Sequence, residues 1–313
     1  MRIVVLAGGL SHERDVSLRS GRRIADHLKD RGHEVEVLDA DAQLLTSLKS
    51  TQPDVVVPML HGAAGEDGTL RDVLEALGLA YVGSTPDACR VSFDKPVAKS
   101  LMASAGVHVP VGVALPHATF RELGAESVMK AVIDRVGLPC IVKPSRGGSS
   151  LGATVVRDAS VLPSALVSAF AYGEVALIEQ FIEGTEVAVS IIETEVGPVA
   201  LPAVEIRPDG GVYDYNARYT AGTTEFFCPA RLSPEIEADV AQTAVTAHMI
   251  LGLRDLSRSD MIVDDKGIVW FLEVNVAPGM TETSLFPQSV QAAESDLGEI
   301  FDSIVNRCAK RGG

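Results

Sequence analysis

The first third of the chain alternates strand-like segments with helix-like ones, and this alternation constrains the fold more than any other feature. Residues 3–6 and 53–60 are apolar runs of strand length, residues 34–38 form another strand, and the segment 16–30 between them is helical. Strands that are apolar throughout are buried on both faces, as in parallel sheets covered by helices. We therefore predict an N-terminal parallel α/β domain, with ligands at the carboxyl ends of its strands.

Two loops that follow these strands carry candidate functional side chains. Gly8-Gly9 leads to Glu13, and residues 61–68 contain His61, Gly62 and Glu66. Because the carboxyl ends of parallel strands meet at one edge of a sheet, we expect both loops to face the same crevice.

The pattern changes near residue 84. Beyond it, strands at 140–143 and 153–156 flank a loop rich in glycine and serine, which indicates a small α+β unit. Strands at 186–192 and 197–206 follow, then a long loop over 212–228 and a helix that begins at Pro234. We predict mixed α/β and α+β architecture in three domains, with boundaries at 1–84, 85–182 and 183–313.

Bulk charge excludes some classes of partner. The chain has 27 Lys and Arg against 42 Asp and Glu, a formal net charge of −15. Such a charge disfavours nucleic acid and anionic membrane surfaces, but a few basic residues in a cleft can still bind phosphate. The four cysteines form no CxxC pair, and we find neither a signal peptide nor an apolar run of membrane-spanning length. We expect a cytoplasmic protein with no nucleic-acid and no membrane partner.

The strongest local pattern is a hairpin that carries oxygen ligands. Strands over 258–263 and 268–274 are joined by a four-residue turn, and antiparallel pairing brings Asp260 close to the far end of the second strand. Glu273 and Asn275 are two residues apart, so we expect them on one face. Hard oxygen donors of this kind suit Mg²⁺ bridging a nucleotide. The alternative is a polar, solvent-exposed hairpin face, which explains the turn acids but not acids on a half-buried strand.

The second pattern is the loop after Lys143, which contains three glycines and three serines before the next strand. A lysine at a strand end and the backbone N–H groups of such a loop can bind phosphate. The loop matches neither the P-loop nor the dinucleotide-binding glycine motif. Taken alone, it fits a mobile hairpin loop without a ligand equally well.

Seven segments in the same order resemble the D-alanine–D-alanine ligase family of the ATP-grasp superfamily. They extend over essentially the whole chain and read HERDVSL (12–18), HGAAGEDG (61–68), DKPVAK (94–99), IVKPSRGGSSLG (141–152), IEQFIEGTE (178–186), YDYNARY (213–219) and FLEVNVAPGMTETSLFP (271–287).

The resemblance implies a nucleotide site between the central and C-terminal domains. Lys95 and Lys143 match residues that contact the ATP phosphates, Glu186 matches the ribose-binding acid, and Arg218 stands where the family usually has a lysine. The adenine-reading hinge corresponds to Glu179, Gln180, Phe181 and Ile182. The ligands of two Mg²⁺ ions, which Mn²⁺ can replace, correspond to Asp260, Glu273 and Asn275.

The resemblance also implies the reacting groups. Glu13 matches the acid that holds the first D-alanine ammonium, and Ser149 and Tyr219 match its hydrogen-bonding partners. Arg258 and the backbone N–H of Gly279 match the oxyanion stabilisers. The remaining substrate contacts correspond to His61, Ser284 and Leu285, although a lone histidine before glycine is more often structural. The implied reaction forms an acyl phosphate from ATP and one D-alanine, which a second D-alanine amine then attacks.

Two alternatives stay open at this stage. One is a related ATP-grasp ligase with a different second substrate, such as D-lactate, D-serine or an amino acid of secondary metabolism; Tyr219 favours an amine as nucleophile. The other is a catalytically silent ATP-binding regulator, against which the intact set of Lys143, Arg258 and the three metal ligands argues. The resemblance implies a homodimer that serves peptidoglycan precursor synthesis.

Overall fold

The computed structural model describes residues 1–211, 220 and 222–312. The predicted parallel sheet is confirmed: β1 lies between β2 and β3 and is parallel to both. The elements of this part are β1 Arg2–Ala7, α1 Arg14–Asp30, β2 Glu34–Asp39, α2 Leu44–Thr51, β3 Val55–Pro58, α3 Ala63–Glu66 and α4 Thr69–Ala76.

Alternate residues of β1 enter two different cores, which explains why the strand is apolar throughout. Ile3 and Val5 pack with α1 on one face, whereas Val4 and Leu6 pack with α2 and α4 on the other. The carboxyl ends of β1 and β3 therefore lie between two helical layers, and the loops that follow them carry Glu13 and His61.

The middle of the chain forms an antiparallel sheet in the order β4-β7-β5-β6. Its helices α8 and α9 cover the sheet through an apolar cluster that includes Val132, Val142 and Leu166. The elements are α5 Pro86–Phe93, α6 Lys95–Ser104, β4 Gly112–Pro116, α7 His117–Leu123, α8 Ala125–Val136, β5 Cys140–Pro144, β6 Thr154–Val156, a 3₁₀ turn at Ala159–Val161, α9 Leu162–Phe170 and β7 Val175–Gln180.

The last part of the described chain forms a larger antiparallel sheet in the order β11-β10-β8-β12-β13, with β9 also paired to β8. The elements are β8 Thr185–Thr194, β9 Gly197–Ala200, β10 Val204–Pro208, β11 Thr224–Phe227, α10 Pro234–Ile250, β12 Leu256–Val263, β13 Val269–Asn275, α11 Leu285–Ala292 and α12 Leu297–Arg311.

Two sequence expectations for this part are wrong. The single strand expected over 197–206 is divided into β9 and β10, which pair with different ends of β8. Pro202 lies in the interruption, where it has no N–H to donate to a ladder. The long loop expected to reach residue 228 instead ends in β11, which pairs antiparallel with β10. Phe226 and Phe227 give that segment strand propensity, and the neighbouring strand supplies its backbone partners.

The packing crosses the predicted domain boundaries. One apolar cluster joins Ile24 of α1 to Phe301 of α12, so the first and last parts of the chain share a core. Helices α5 and α6 pack through Cys89 and Met102 on β13 and α10, away from the sheet of the middle part. The boundaries near residues 84 and 182 stay a prediction.

The mixed α/β and α+β class is confirmed. Two antiparallel sheets face each other, and the N-terminal domain closes one end of the cleft between them. Among the helices that the structure describes, none combines the length and the apolar character that a membrane span requires.

Candidate active site

Two cavities adjoin in this cleft. The larger, of about 1100 Å³, lies between the sheet that contains β5 and β7 and the sheet that contains β8 and β12. The smaller, of about 590 Å³, lies between the N-terminal loops, the end of β13 and the start of α11. Four residues line both cavities and mark their junction: Lys95, Gly147, Gly148 and Glu273.

The structure brings most of the sequence-predicted residues to these cavities. The larger cavity is lined by Lys95, Lys143, Glu179, Gln180, Phe181, Ile182, Glu186, Asp260 and Glu273. The smaller cavity is lined by Glu13, His61, Ser149, Arg258, Glu273, Asn275, Gly279, Ser284 and Leu285. Arg218 and Tyr219 lie outside the described residues.

The larger cavity combines apolar walls with a charged end. Ile141, Ile206, Ile262 and Leu272 contribute side chains from both sheets, so an apolar surface faces inward from each side. Lys143 and Glu273 lie among its charged lining residues. A flat, largely apolar group attached to an anionic one would suit this arrangement.

A buried charge cluster stands behind the lysines of the larger cavity. The Glu179 carboxylate, 1% exposed, receives Lys143 Nζ on Oε1 at 2.8 Å and Lys99 Nζ on Oε2. Burial raises the pKa of Glu179, but the two lysines outweigh burial and hold the pKa below its usual range. Burial also opposes protonation of Lys143, yet Glu179 and Glu273 raise its pKa overall. The carboxylate is therefore ionised and holds both lysines.

The hinge backbone is partly engaged within the protein. The N–H of Gln180 donates to the carbonyl of Val111 at 2.8 Å, and the N–H of Phe181 donates to the carbonyl of Pro139 at 3.1 Å. These two bonds fix the hinge to neighbouring strand ends. The predicted role of the hinge in reading adenine stays a prediction.

Lys95 joins three elements at the junction of the cavities. Its Nζ donates to the carbonyl of Gly147 at 2.5 Å and lies 3.3 Å from Glu273 Oε2. Its backbone N–H donates to the carbonyl of Ser145 at 3.0 Å. The N-terminus of α6, the glycine-rich loop and β13 thus meet at one ammonium group.

An extra residue in β13 decides which side chains face the cleft. Asp260 pairs with Glu273, but Met261 pairs with Phe271, so Leu272 is a β-bulge. Without the bulge, strict alternation would put Glu273 and Asn275 on the buried face of Phe271. With it, Val274 takes the buried position, and Leu272 and Glu273 both line the larger cavity.

The predicted metal ligands lie close together, and basic side chains of the protein are paired with the two carboxylates. Asp260 accepts a forked pair of hydrogen bonds from Arg258, Nε to Oδ1 at 2.7 Å and Nη2 to Oδ2 at 2.8 Å. Glu273 lies directly across the ladder from Asp260, and Asn275 Oδ1 accepts from the N–H of Ala277. Among the described residues, no group of three or more His, Cys, Asp or Glu side chains is placed to hold a metal ion. Two carboxylates and an amide fit Mg²⁺ when phosphate and water complete the coordination.

The glycine-rich loop reaches across to the N-terminal domain. Ser149 Oγ donates to Glu13 Oε1 at 2.5 Å, which connects the loop after β5 to the start of α1. Ser149 and Ser150 have φ angles of 54° and 56°, a left-handed region that non-glycine residues rarely adopt. Strain of this kind is maintained only where surrounding contacts over-determine the backbone, and the Glu13 bond is one such contact.

His61 makes bonds within the protein through both ring nitrogens. Its Nδ1 donates to the carbonyl of Ala277 at 3.0 Å, and Ser20 Oγ lies 3.4 Å from Nε2. Ser20 Oγ also accepts from the N–H of Met280 at 3.0 Å. Burial lowers the pKa of His61, which favours the neutral ring. His61 therefore holds the segment that carries Gly279; its contact with a substrate stays a prediction.

The smaller cavity ends at the N-terminus of α11. A Cβ at Gly279 would lie 2.8 Å from Ser284 Oγ, so a larger residue there would displace the Ser284 side chain. The N–H of Thr281 donates to Ser284 Oγ at 3.0 Å, and Leu285 begins the helix. Exposed N–H groups and the helix dipole favour a carboxylate at this end.

Two buried ionisable residues belong to the site in addition to those that the family resemblance assigns to it. Lys99 occurs in the segment DKPVAK, one helical turn after Lys95, and that spacing is the signal that could have identified it. Glu66 lines the smaller cavity at 7% exposed and accepts from the N–H of Gly62 at 2.8 Å. Burial, together with the nearby Glu13 charge, raises the pKa of Glu66 to about 8.

Comparisons with known proteins find similarity along nearly the whole chain. Residues 41–84 match the family model described as D-ala D-ala ligase N-terminus, and residues 101–306 match that described as D-ala D-ala ligase C-terminus. A D-alanine–D-alanine ligase of Anaeromyxobacter sp. (strain Fw109-5) is 39% identical over 308 residues, which cover 98% of this chain and 97% of that protein.

Solved structures of ligases are similar to this fold over nearly its whole length. The VanG D-Ala:D-Ser ligase of Enterococcus faecalis has a TM-score of 0.85 at 26% identity, covering 98% of this chain and 99% of that one. The D-alanine–D-alanine ligase of Bacillus anthracis complexed with ATP has a TM-score of 0.81 at 29% identity, covering 100% of this chain and 99% of that one.

The protonation of Glu66 predicts a pH-dependent stability. Between its ordinary pKa of 4.5 and about 8, the native state retains a proton that the unfolded state releases. The stabilisation is therefore complete below 4.5 and is lost as the pH rises through 8, at up to roughly 1.4 kcal/mol per pH unit. Glu66→Gln should remove this component, so the variant gains stability relative to wild type as the pH rises. Urea unfolding at pH 5, 6, 7 and 8 measures the difference.

The matched control is Glu126→Gln, which removes a carboxylate from the exposed first turn of α8. Its unfolding free energy should follow the wild-type pH profile. Equal pH profiles for Glu66→Gln and wild type would contradict the protonated state of Glu66.

Proposed function

We propose, because the chain belongs to the D-alanine–D-alanine ligase family, that it joins two D-alanine molecules with ATP as the energy source. The products are D-alanyl-D-alanine, ADP and phosphate, and the dipeptide serves peptidoglycan precursor synthesis. The single observation that carries this proposal is the junction of the two cavities at Lys95 and Glu273. A nucleotide in the larger cavity would present its terminal phosphate to an amino acid in the smaller one.

We assign the nucleotide to the larger cavity by its chemistry. The base would lie between the apolar side chains of the two sheets, near the hinge of Glu179 to Ile182, with Glu186 on the ribose. Lys95 and Lys143 would bind the phosphates, and Arg218 is proposed to assist from outside the described residues. Positive groups at this end lower the cost of bringing anionic phosphate to a carboxylate substrate.

We assign the amino acids to the smaller cavity. Glu13, held by Ser149, would bind the ammonium of the first D-alanine. The N-terminus of α11, with Ser284 and Leu285, would bind the carboxylate of the second. Tyr219 is proposed to join Glu13 and Ser149. Opposite charges at the two ends orient both molecules along the cavity and bring amine and acyl carbon together.

The first step transfers a phosphoryl group. A carboxylate oxygen of the first D-alanine bonds to the γ-phosphorus as the bond to the β-phosphate oxygen breaks, giving ADP and an acyl phosphate. Asp260, Glu273 and Asn275 would hold two Mg²⁺ ions, which neutralise phosphate charge when bound; Mn²⁺ is expected to substitute. Gly147 and Gly148 line both cavities at their junction, and their loop would limit the access of water there.

The second step forms the peptide bond. The amine of the second D-alanine attacks the acyl carbon, and inorganic phosphate leaves from the tetrahedral intermediate. Arg258 is buried and is held by Asp260 through two hydrogen bonds, so its guanidinium is fixed before the negative charge develops. Arg258 and the N–H of Gly279 are proposed to stabilise that charge. His61 contributes by holding the segment that carries Gly279.

We further propose that the protein acts in the cytoplasm as a homodimer, with no nucleic-acid or membrane partner.

The first functional prediction concerns substrate chirality. Purified protein with ATP, Mg²⁺ and D-alanine should release phosphate and form a dipeptide, because the Glu13 side and the α11 side fix ammonium and carboxylate. In each subsite the anchored group and the reacting group fix two substituents of Cα, so L-alanine would put its methyl group where D-alanine has a hydrogen atom and should give no turnover. Phosphate release and mass spectrometry of the product are the measurements.

A panel of second substrates completes this experiment. D-serine and D-lactate should be used at less than about a tenth of the efficiency of D-alanine, since D-serine adds a hydroxyl to the methyl group and D-lactate has a hydroxyl in place of the attacking amine. If the protein prefers either compound to D-alanine as the second substrate, it is a related ligase with a different product. Turnover of L-alanine equal to that of D-alanine would overturn the proposal.

The second functional prediction concerns Glu273. Glu273→Gln removes one negative ligand from the junction and should lower turnover by about two orders of magnitude or more, with an unchanged melting temperature. Asp265→Asn is the control, because Asp265 is an exposed acid in the turn after β12. Its turnover should stay within about twofold of wild type. Full activity of Glu273→Gln would exclude a role for Glu273 in metal binding.

A further inference from the structure

Lys99 is a buried lysine that contacts neither cavity directly. It lies on α6 one helical turn after Lys95, and its Nζ is paired with Glu179 Oε2. The other Glu179 oxygen is paired with Lys143 Nζ at 2.8 Å. Among the described residues that line the larger cavity, Lys143 and Glu179 are present and Lys99 is not. Lys99 therefore acts on a ligand in the larger cavity by its charge and through Glu179, and not by direct contact.

The charges of this cluster explain why one carboxylate has two lysines. Lys143 and Glu179 alone form a neutral buried pair, which exerts no net attraction on an anion in the cavity. Lys99 adds one positive charge, so the cluster as a whole carries +1. All three side chains are largely buried, at 7%, 12% and 1% exposed for Lys99, Lys143 and Glu179, so solvent screens this charge weakly.

We propose that Lys99 is a positioning residue for nucleotide phosphate: it neutralises Glu179 and thereby leaves the charge of Lys143 to the ligand. The inference rests on the proposed function, because it takes a nucleotide to occupy the larger cavity. It assigns to Lys99 a role in affinity for the phosphates and none in recognition of the base.

A purely structural ion pair is the competing explanation. Buried ion pairs contribute little net stability, because desolvation offsets most of the attraction. A structural ion pair would also need only one lysine, because one positive charge already neutralises the Glu179 carboxylate. Burial lowers the pKa of Lys99 to about 8, which still leaves it protonated at neutral pH.

The test compares the binding of ADP and adenosine by calorimetry at a fixed Mg²⁺ concentration. In Lys99→Met the cluster becomes neutral, and the dissociation constant for ADP should rise by about tenfold to a hundredfold. The constant for adenosine should change by less than about threefold, because the base and ribose contacts remain. Lys99→Arg keeps the charge and should retain the wild-type ratio of the two constants. A structural ion pair would not separate the two ligands in this way.

The double variant Lys99→Met with Glu179→Gln makes the test independent of the single variant's stability. It leaves Lys143 as the one charge of the cluster, restores +1 and contains no uncompensated buried carboxylate. Its ratio of ADP to adenosine affinity should return to within about threefold of wild type. Lys130→Met is the control, since Lys130 pairs with Asp134 on an exposed helix face, and its ratio should equal that of wild type.

The outcomes separate this inference from the proposed function. If the wild-type protein binds neither ligand, the nucleotide assignment of the larger cavity is refuted, and the role of Lys99 with it. If wild type binds both and Lys99→Met keeps the wild-type ratio, only the role of Lys99 is refuted. The charge argument would likewise be overturned if the double variant had a ratio of ADP to adenosine affinity about tenfold below that of wild type. This outcome does not depend on whether Lys99→Met folds.

Discussion

The pairing of β12 with β13 is the constraint on which the site depends. This ladder lies within the larger sheet, and the extra residue Leu272 changes the phase of β13 at the point where the cavities meet. Before the bulge, Phe271 faces the core; after it, Val274 does, and Glu273 turns toward the cleft. A regular strand would have buried two polar side chains at considerable cost. The bulge thus serves packing on one face and chemistry on the other.

Charge compensation connects the separate parts of the chain at this ladder. Glu273 is paired with Lys95 of α6, Asp260 with Arg258 of its own strand, and Glu179 of β7 with two lysines. These three acids of the cleft thus have basic partners, although the whole chain carries a net charge of −15. The net charge of the chain disfavours nucleic acid as a partner, whereas the placement of a few cations leaves the cleft suited to phosphate.

Much of the fold could be predicted because its signals are local. The apolar run of β1, the hairpin turn after β12 and the glycine-rich loop after Lys143 each identify themselves within a few residues. The strand β11 and the division into β9 and β10 could not be predicted, because β11 is specified by its pairing with β10 and the division by separate pairing with the two ends of β8. The roles of Lys99 and Glu66 could not be predicted for a related reason: burial gives these residues their importance, and burial is a property of the packed chain.

The sequence by itself determined the class of fold, the family and the residue types available to the site. Periodicity and turn chemistry act over short distances, and seven ordered segments carry the resemblance to the ligases. Only the tertiary structure decided which of those residues face the cleft and with what charge. The phase of β13 depends on one bulge, and the net charge beside Lys143 depends on a lysine and a glutamate 80 residues apart in the chain. Such contacts form between distant segments, so no local pattern can specify them.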